Sequence, residues 1–303
     1  MSSPSDIYLD HQASTPAFEE VVEAMLPFWR IQHSNPHSSE HAAGWAANKA
    51  VETAREQVAN MIGALPSEII FTSGATEANN LVLFGLAASA IEQVVTSEIE
   101  HACVMEAAAQ VARERNIPHI AIPTGRDGKI DLDALRRAVG SGRSLVSVGL
   151  VNNEIGTIQD LEKISQITRE GGATLHTDAA QSPFAIDLGD LKELVDAASF
   201  SGHKMGGPMG IGALYLSVDL HSALRPRVYG GGQENGLRSG TLPLPLCVGF
   251  GKAAEIVSES SFGNCRDQMR QCRDVFLQRL FESNVEFAVN GAEFSSRHPG
   301  NLN

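Results

Sequence analysis

The sequence is short of cysteine and of basic residues, and it has no long apolar run. Four cysteines in 303 residues, none in a C-x-x-C pair, exclude a disulfide-rich or zinc-knuckle protein and favour a reducing compartment. No basic start precedes an apolar stretch at the N-terminus, and no run is as long as a membrane span, so we expect a cytoplasmic protein. The net charge of −13, from 23 basic and 36 acidic residues, argues against nucleic acid or a membrane surface as partner.

The common fingerprints of nucleotide and metal sites are also missing. No G-x-G-x-x-G follows a predicted strand, and neither Gly-Lys pair that could end a P-loop is followed by Ser or Thr. His33, His37 and His41 have the four-residue spacing of metal ligands on a helix, but Pro36 and its polar neighbours favour a loop there. We therefore predict neither a dinucleotide site nor a metal site.

Strand-like and helix-like segments alternate through most of the chain. This alternation is typical of βαβ units, so we predict an α/β fold with a mostly parallel central sheet flanked by helices. The predicted strands are residues 68–72, 93–97, 119–123, 145–151, 174–177, 197–201 and 211–217.

Several helices can be placed from their capping residues and apolar spacing. Residues 38–62 have apolar side chains at three- and four-residue intervals, and Asp131 and Asp160 are expected to cap the helices that follow them. After Thr241, Pro243 opens one long helical pattern that runs to about Glu282. We expect this last helix to be a connector leaving the sheet.

A possible phosphate site follows the first predicted strand. Ser73-Gly74-Ala75-Thr76-Glu77 joins the strand IIFT to a helical run that begins at Ala78. This arrangement brings free backbone N–H groups, small side chains and the Thr76 hydroxyl to a helix N-terminus, which suits a phosphate. The segment taken alone is more typical of a plain helix cap than of a phosphate site.

Polar side chains follow four other predicted strands, at the points where open α/β sheets bind ligands. They are His101, Asn153, Asp178 with Gln181, and the run Ser201-Gly202-His203-Lys204. Each alone is more typical of a turn or cap. Together they provide a lysine, an acid and a phosphate site at one sheet edge, which is what pyridoxal 5′-phosphate (PLP) requires. A carboxylate such as Asp178 favours the protonated ring nitrogen of PLP by roughly 1–3 pKa units.

The order and spacing of these motifs resemble those of the cysteine desulfurases of the NifS and IscS type, in the class V branch of PLP enzymes. The resemblance extends from Ile7 to Pro243 almost without a gap. It rests on the segments YLDHQASTP, FTSGATEANN, SEIEHACV, VNNEIGTIQD, HTDAAQS, SFSGHKMGGPMGIGALY and GGGQENGLRSGTLP.

The resemblance implies a role for each matching residue. Lys204 would hold PLP covalently and move protons, and His101 would stack on the ring and act as an acid or base. The further contacts would be Asp178 with the ring nitrogen, Gln181 and Asn153 with the ring hydroxyl, and Ala75, Thr76, Ser201 and His203 with the phosphate. Thr241 would reach this phosphate from a second subunit, which implies a homodimer with shared active sites.

The resemblance also implies the fold, the domains and the reaction. The fold would be that of type I PLP-dependent transferases, with an N-terminal segment (1–14) partly in the small domain, a large PLP-binding domain (15–242), and a connector helix beginning a truncated small domain (243–303). The reaction would convert L-cysteine to L-alanine and pass the sulfur as a persulfide to iron–sulfur cluster or thiocofactor assembly. An iron–sulfur scaffold or another sulfur-acceptor protein is then an expected partner.

The chain departs from the family pattern at its end. Pro299-Gly300-Asn301-Leu302-Asn303 resembles a family stretch after which the nucleophilic cysteine and the substrate-binding arginine normally follow, so neither can be assigned here. We expect either a fragment of a longer protein or a reduced scaffold. Three functions remain open: a cysteine desulfurase, a selenocysteine lyase or other class V lyase or aminotransferase, and a catalytically disabled scaffold or regulatory subunit.

Overall fold

The computed structural model describes residues 7–88, 90–140 and 142–303, and its core is one mixed sheet between two layers of helices. Residues 1–6 of the predicted N-terminal segment lie outside the described residues. The strands are β1 (Ile69–Thr72), β2 (Gln93–Ser97), β3 (His119–Ile122), β4 (Ser144–Ser147), β5 (Thr174–Asp178), β6 (Ala197–Ser201) and β7 (Gly212–Leu216). The helices are α1 (Glu19–Arg30), α2 (Ala42–Met61), α3 (Ala75–Ala87), α4 (Ala102–Arg115), α5 (Leu132–Val139), α6 (Leu161–Glu170), α7 (Leu244–Ser258) and α8 (Phe262–Glu282).

The sheet order is β1-β7-β6-β5-β4-β2-β3, and β7 runs antiparallel to both of its neighbours. All other neighbouring strands pair in parallel. The carboxyl ends of β6, β5, β4 and β2 therefore lie side by side at one edge of the sheet. This arrangement confirms the predicted α/β class with a mostly parallel sheet.

Both faces of the sheet are buried, as a parallel sheet requires. Alternate residues of one strand point to opposite faces: Ile69 and Phe71 join the core formed with α2, α6 and α7, whereas Ile70 joins the core formed with α3 and α4. This alternation holds α3 and α4 on one face, with their N-termini at the carboxyl edge of the sheet.

The capping predictions are confirmed, because Asp131 accepts the N–H of Ala134 at 2.9 Å and Asp160 accepts the N–H of Lys163 at 3.2 Å. The strand predicted over residues 145–151 is too long, since β4 ends at Ser147, although the N–H groups of Val148 and Leu150 still donate to β5 carbonyls. His41 caps α2 through its Nδ1, and the chain before it is a loop, as predicted.

The single long helix predicted after Pro243 is wrong. Two helices occupy this region, and the chain breaks between them at residues 259–261. Phe262 turns inward at the break and stacks near Phe184, with ring centroids 5.4 Å apart. The first of the two helices, α7, packs against α1 and α2, so it belongs to the helical layer on that face of the sheet. The division into 1–14, 15–242 and 243–303 stays a prediction.

Candidate active site

A cleft of about 840 Å³ opens at the carboxyl edge of the sheet, and we call it the main cleft. It brings together every site residue predicted from the sequence except Thr241. These residues are Ala75, Thr76, His101, Asn153, Asp178, Gln181, Ser201, His203 and Lys204. Their common position follows from the strand order, because β6, β5, β4 and β2 are neighbours and all end here.

The first turn of α3 forms one wall of the main cleft. The backbone N–H groups of Ala75, Thr76 and Glu77 have no acceptor within the described part of the chain, as expected at a helix N-terminus. Gly212 of β7 lies directly behind this turn, and a Cβ atom at its position would stand 2.7 Å from the Cα of Gly74. Only a glycine lets the strand and the turn approach so closely, and the result is an unobstructed anion site.

Lys204 lies in a one-turn helix directly after β6. Thr15 clamps this turn from the far end of the chain: its N–H and its hydroxyl both donate to the carbonyl of His203, at 2.8 and 3.0 Å. Thr15 Oγ1 in turn accepts the N–H of Gly206 at 2.9 Å. Gly206 has φ +73°, and a Cβ there would collide with the ring of Phe18. The lysine is therefore presented by a rigid turn.

Asp178 ends β5, and both of its carboxylate oxygens accept hydrogen bonds. The N–H of Ala180 donates to Oδ1 at 3.0 Å, and Asn79 Nδ2 donates to Oδ2 at 2.7 Å. The sequence analysis missed Asn79, which is fully buried on α3. Its position three residues after Thr76 was the available signal, because residues at i and i+3 share one face of a helix.

His101 is the N-cap of α4 and is exposed at the main cleft. Its Nδ1 lies 3.2 Å from the N–H of Cys103, which donates to it, and 3.0 Å from Cys103 Sγ. Cys103 also lines the main cleft, and its Sγ accepts a hydrogen bond from Asn79 Nδ2 at 3.1 Å. Burial, aided by the charge of Asp178, raises the pKa of the Cys103 thiol.

Glu100 is a second residue that the sequence analysis missed, although its place directly before His101 could have indicated it. Both carboxylate oxygens accept the N–H of Gly149 at 2.9 Å, and one also accepts the hydroxyl of Ser97. Burial raises the pKa of Glu100 to about 7, and the nearby Asp178 charge acts in the same direction. The main cleft thus holds a carboxyl group that exchanges its proton near neutral pH.

Gln181 and Asn153 lie on the loops after β5 and β4. Gln181 Nε2 donates to the carbonyl of Gln12 at 2.8 Å, and Asn301 Nδ2 donates to Gln12 Oε1 at 2.5 Å. The side-chain amide of Asn153 donates to Glu154 Oε1 at 3.0 Å. Segments from both ends of the described chain therefore support the rim of the main cleft.

The main cleft also contains two residues with shifted pKa values, His203 and Glu77. Burial, together with the positive charge of Lys204, lowers the pKa of His203. Arg238 Nε lies 2.7 Å from Glu77 Oε1. Burial alone would raise the pKa of Glu77, but its hydrogen bonds with Arg238 and Ser73 outweigh burial and lower it. Thr241 lies exposed a few residues beyond Arg238 and outside the main cleft.

Two structural searches were confined to the described residues. Residues 7–88, 90–140 and 142–303 contain no group of three or more His, Cys, Asp or Glu side chains placed to hold a metal ion. Over the same residues, no helix is both long and apolar enough to cross a membrane. Cys265 and Cys272 are exposed on α8, and Cys247 is buried on α7.

Comparison with known protein families identifies the family of this chain. The family model described as aminotransferase class-V matches residues 7–299. The chain belongs to the aminotransferase class-V family. The seven-stranded sheet described above and its cleft are thus the class-V scaffold of this chain.

Two relatives of the chain carry the name cysteine desulfurase. The chain is 42% identical over 297 residues to a mitosomal cysteine desulfurase of Encephalitozoon cuniculi, covering 95% of this chain and 67% of that protein. It is 44% identical over 300 residues to the cysteine desulfurase IscS of Rickettsia rickettsii, covering 98% of this chain and 72% of that protein. These relatives support a cysteine desulfurase over a selenocysteine lyase, another class-V lyase or aminotransferase, or a disabled scaffold.

Solved class-V structures have the same fold. A NifS-like protein superposes with a TM-score of 0.91 at 34% identity, covering 98% of this chain and 80% of that one. A structure described as SspA in complex with cysteine gives a TM-score of 0.84 at 35% identity, covering 97% and 82%. The predicted fold of the NifS and IscS type is confirmed.

The main cleft fits PLP, the cofactor of this enzyme class. The unpaired N–H groups of Ala75 and Thr76 suit a phosphate, and Gly212 leaves the approach to them open. Asp178 is fixed through both oxygens and suits a protonated ring nitrogen. Lys204 provides an amine in the same cleft.

Proposed function

We propose that this chain binds PLP in the main cleft and acts as a cysteine desulfurase on L-cysteine. The observation that supports the proposal best is the convergence of Lys204, Asp178 and the N-terminus of α3 in one cleft. In this proposal the sulfur of L-cysteine passes to an acceptor thiol, which becomes a persulfide for iron–sulfur cluster or thiocofactor assembly, and L-alanine is the other product. We assign none of the four cysteines as the sulfur acceptor.

The proposal gives the predicted site residues the following roles. Lys204 Nζ binds the cofactor covalently and carries a proton to and from the substrate, and His101 Nε2 exchanges a proton beside it. Asp178 would hold the ring nitrogen, and Gln181 and Asn153 would bind the ring hydroxyl. Ala75, Thr76, Ser201, His203 and, from a second subunit, Thr241 would bind the phosphate. When bound, PLP supplies an electron sink for charge at the substrate carbon.

The direct test is cofactor loading of the purified chain. We expect a visible absorbance band on addition of PLP, and borohydride reduction followed by peptide mass spectrometry should locate the cofactor on Lys204. Lys204→Ala should abolish the band, whereas Lys192→Ala, a change at a lysine outside the main cleft, should leave it intact. A folded, PLP-saturated chain without the band would refute the proposal.

The substrate is tested separately from the cofactor. Alanine formation should be measured with L-cysteine and with L-selenocysteine, and the protein should release alanine from L-cysteine in a manner that depends on Lys204. Turnover of L-selenocysteine alone would instead identify a selenocysteine lyase. Loading with PLP and no turnover of either amino acid would favour the disabled scaffold.

The proposal includes a homodimer in which Thr241 serves the partner's phosphate site. The exposure of Thr241 and its position outside its own main cleft support this arrangement. Co-expression of a Lys204→Ala chain with a Thr241→Ala chain should yield mixed dimers in which one site recovers tight PLP binding. No recovery in isolated mixed dimers would place Thr241 in its own subunit's site or in none.

The proposed location is the cytoplasm, and the proposed partner is a scaffold or sulfur-acceptor protein. All four cysteines are free, which supports a reducing compartment. Cell fractionation with an antibody to the chain tests the location, and persulfide transfer to a purified acceptor tests the partner.

A further inference from the structure

A continuous set of hydrogen bonds joins Asp178 to His101 through two side chains that have no assigned role. Asn79 Nδ2 lies 2.7 Å from Asp178 Oδ2 and 3.1 Å from Cys103 Sγ. Cys103 Sγ lies 3.0 Å from His101 Nδ1. Asn79 is on α3, Asp178 ends β5, and Cys103 and His101 are at the start of α4, so three separate elements meet here.

The donors and acceptors along this path are fixed by chemistry. The Asn79 amide nitrogen has two hydrogens and no lone pair to offer, so it donates to both Asp178 and Cys103. A thiol that accepts from Asn79 has its own hydrogen left for His101 Nδ1. The backbone N–H of Cys103 also donates to this same Nδ1, at 3.2 Å.

These bonds determine the tautomer of His101. A ring nitrogen that accepts from an N–H and an S–H carries no hydrogen itself, so the neutral imidazole has its proton on Nε2. The ring therefore offers an Nε2–H donor in addition to its two bonds at Nδ1. Since His101 lines the main cleft, the tautomer decides what the ring can give to a bound molecule.

The buried position of Asn79 indicates that its hydrogen bonds outweigh the free-energy cost of burying its amide group. The residue is 0% exposed, and its Oδ1 has no hydrogen-bond partner among the residues that the structure describes. A buried acceptor without a partner destabilises a protein, and an apolar residue of similar size would avoid this. Filling space between α3 and α4 does not account for an asparagine at this position.

We propose that Asn79 and Cys103 are positioning residues that couple Asp178 to His101. Asn79 holds the carboxylate that faces the cofactor ring nitrogen, and Cys103 transmits this arrangement to Nδ1 of the histidine beside the cofactor. The roles of Asp178 and His101 rest on the proposed function; the hydrogen bonds themselves do not. The coupling is therefore testable in the cofactor-free chain.

The test is ¹⁵N NMR of the histidine side chains, with His101 signals assigned from a His101→Gln chain. Wild type should have a protonated Nε2 and an unprotonated Nδ1. Cys103→Ser, which can still accept from Asn79 and donate to Nδ1, should keep this pattern. Cys103→Ala leaves the backbone N–H of residue 103 as the one remaining donor of the two at Nδ1, and Asn79→Leu leaves the thiol unfixed, so both should raise the fraction of the Nδ1–H form above that of wild type. Cys272→Ala, at an exposed site on α8, should change nothing.

A second measurement tests the Asn79 link without NMR. In a chain carrying Cys265→Ser and Cys272→Ser, alkylation by iodoacetamide reports mainly on Cys103, because Cys247 is buried. The bond from Asn79 favours the thiolate, so Asn79→Leu should slow alkylation by about two- to tenfold. Asn79→Ser serves the same purpose if the leucine variant does not fold.

The outcomes separate this inference from the proposed function. An Nδ1–H tautomer in wild type, or a tautomer unaffected by Cys103→Ala and by both Asn79 variants, would overturn the coupling whether or not PLP binds. The expected NMR pattern in a chain that does not take up PLP would instead refute the proposed function and leave the coupling intact.

Discussion

Arg55 and Glu234 form a buried, two-pronged ion pair that fastens the loop before α7 to α2. Two Arg55 nitrogens lie 2.8 Å from the two Glu234 oxygens, and Glu234 also accepts the N–H of Phe71 at 2.7 Å. The Glu234 side chain is 2% exposed, and its backbone has φ +50°, a left-handed conformation that is unfavourable for glutamate. Burial alone would lower the pKa of Arg55, but its contacts with Glu234 outweigh burial and raise it.

We expect Glu234→Ala to lower the free energy of unfolding by about 3–5 kcal/mol, because it removes the buried carboxylate partner of Arg55 and leaves the half-exposed Glu52 as the remaining acidic partner. Urea denaturation measures the change. Glu282→Ala removes the partner of Arg279 in an exposed pair and should cost less than about 1 kcal/mol. Equal costs for the two variants would contradict a structural role for the buried pair.

The close approach of Gly212 to Gly74 gives a second prediction. A Cβ at Gly212 would lie 2.3 Å from the carbonyl oxygen of Phe200, so Gly212→Ala must displace β7, the first turn of α3, or both. We expect a loss of about 1–3 kcal/mol in stability and at least about a tenfold rise in the dissociation constant for PLP. Both are measurable, by urea denaturation and by absorbance titration.

Gly263→Ala is the matched control for Gly212→Ala. Gly263 lies in α8, and a Cβ there would meet no atom of the described part of the chain within 4 Å. Alanine at that site should stabilise the helix by up to about 1 kcal/mol and leave PLP binding unchanged. Unchanged PLP binding in Gly212→Ala as well would show that the close approach has no part in the anion site.

Glu100 should make the protein less stable as the pH rises through the acidic to neutral range. Its pKa is about 7 in the folded protein, against an ordinary value of 4.5. Between these values the unfolded chain releases a proton that the folded chain retains, so the free energy of unfolding falls with pH, by at most about 3 kcal/mol.

The Glu100→Gln variant isolates this contribution. It lacks the titrating group, so its stability relative to wild type should improve between pH 5 and pH 8, as measured by urea denaturation at both values. All other titrating groups are common to the two proteins and cancel in the comparison. The same stability difference at both pH values would contradict the prediction.

His176 should act in the opposite direction. Its two ring nitrogens lie 2.8 Å from Ser147 Oγ and 2.9 Å from Ser199 Oγ, and burial lowers its pKa to about 4 from an ordinary 6.5. The unfolded chain takes up a proton between pH 6.5 and 4 that the folded chain does not. Stability therefore falls as the pH is lowered through this range, by up to about 3 kcal/mol.

His176→Asn should reduce the loss of stability between pH 7 and pH 4.5, although it lowers stability at neutral pH by breaking buried hydrogen bonds. His37→Asn, at an exposed position, should leave the pH dependence as in wild type. If His176→Asn retained the full wild-type slope in this range, His176 would not be the source of the effect.

The sheet and most of the cleft could be predicted because their signals are local. The ends of β2 and β6 coincide with the ends of the strands predicted from the sequence. The rule that ligands bind at the carboxyl ends of parallel strands predicted that His101, Asp178 and Lys204 lie in one cleft. The family resemblance then supplied a role for each residue.

The features that were missed depend on contacts between distant parts of the chain. Asn79 is 99 residues from Asp178, and a pattern within α3 does not reveal that the two meet. The break between α7 and α8 contains no proline or glycine, and it follows from the packing of Phe262 on Phe184 and Phe18. The hydrogen bonds that Glu100 accepts from the N–H of Gly149 likewise come from a residue 49 positions away.

The clamp of Thr15 on the lysine turn has a consequence for biosynthesis. Its two residues are 188 positions apart, so at about 5–20 residues per second roughly 10–40 s pass between their appearance at the ribosome. During this interval Thr15 lacks the His203 carbonyl to which it donates in the folded protein. The clamp on the lysine turn can therefore form only after residues 16–203 have been synthesised.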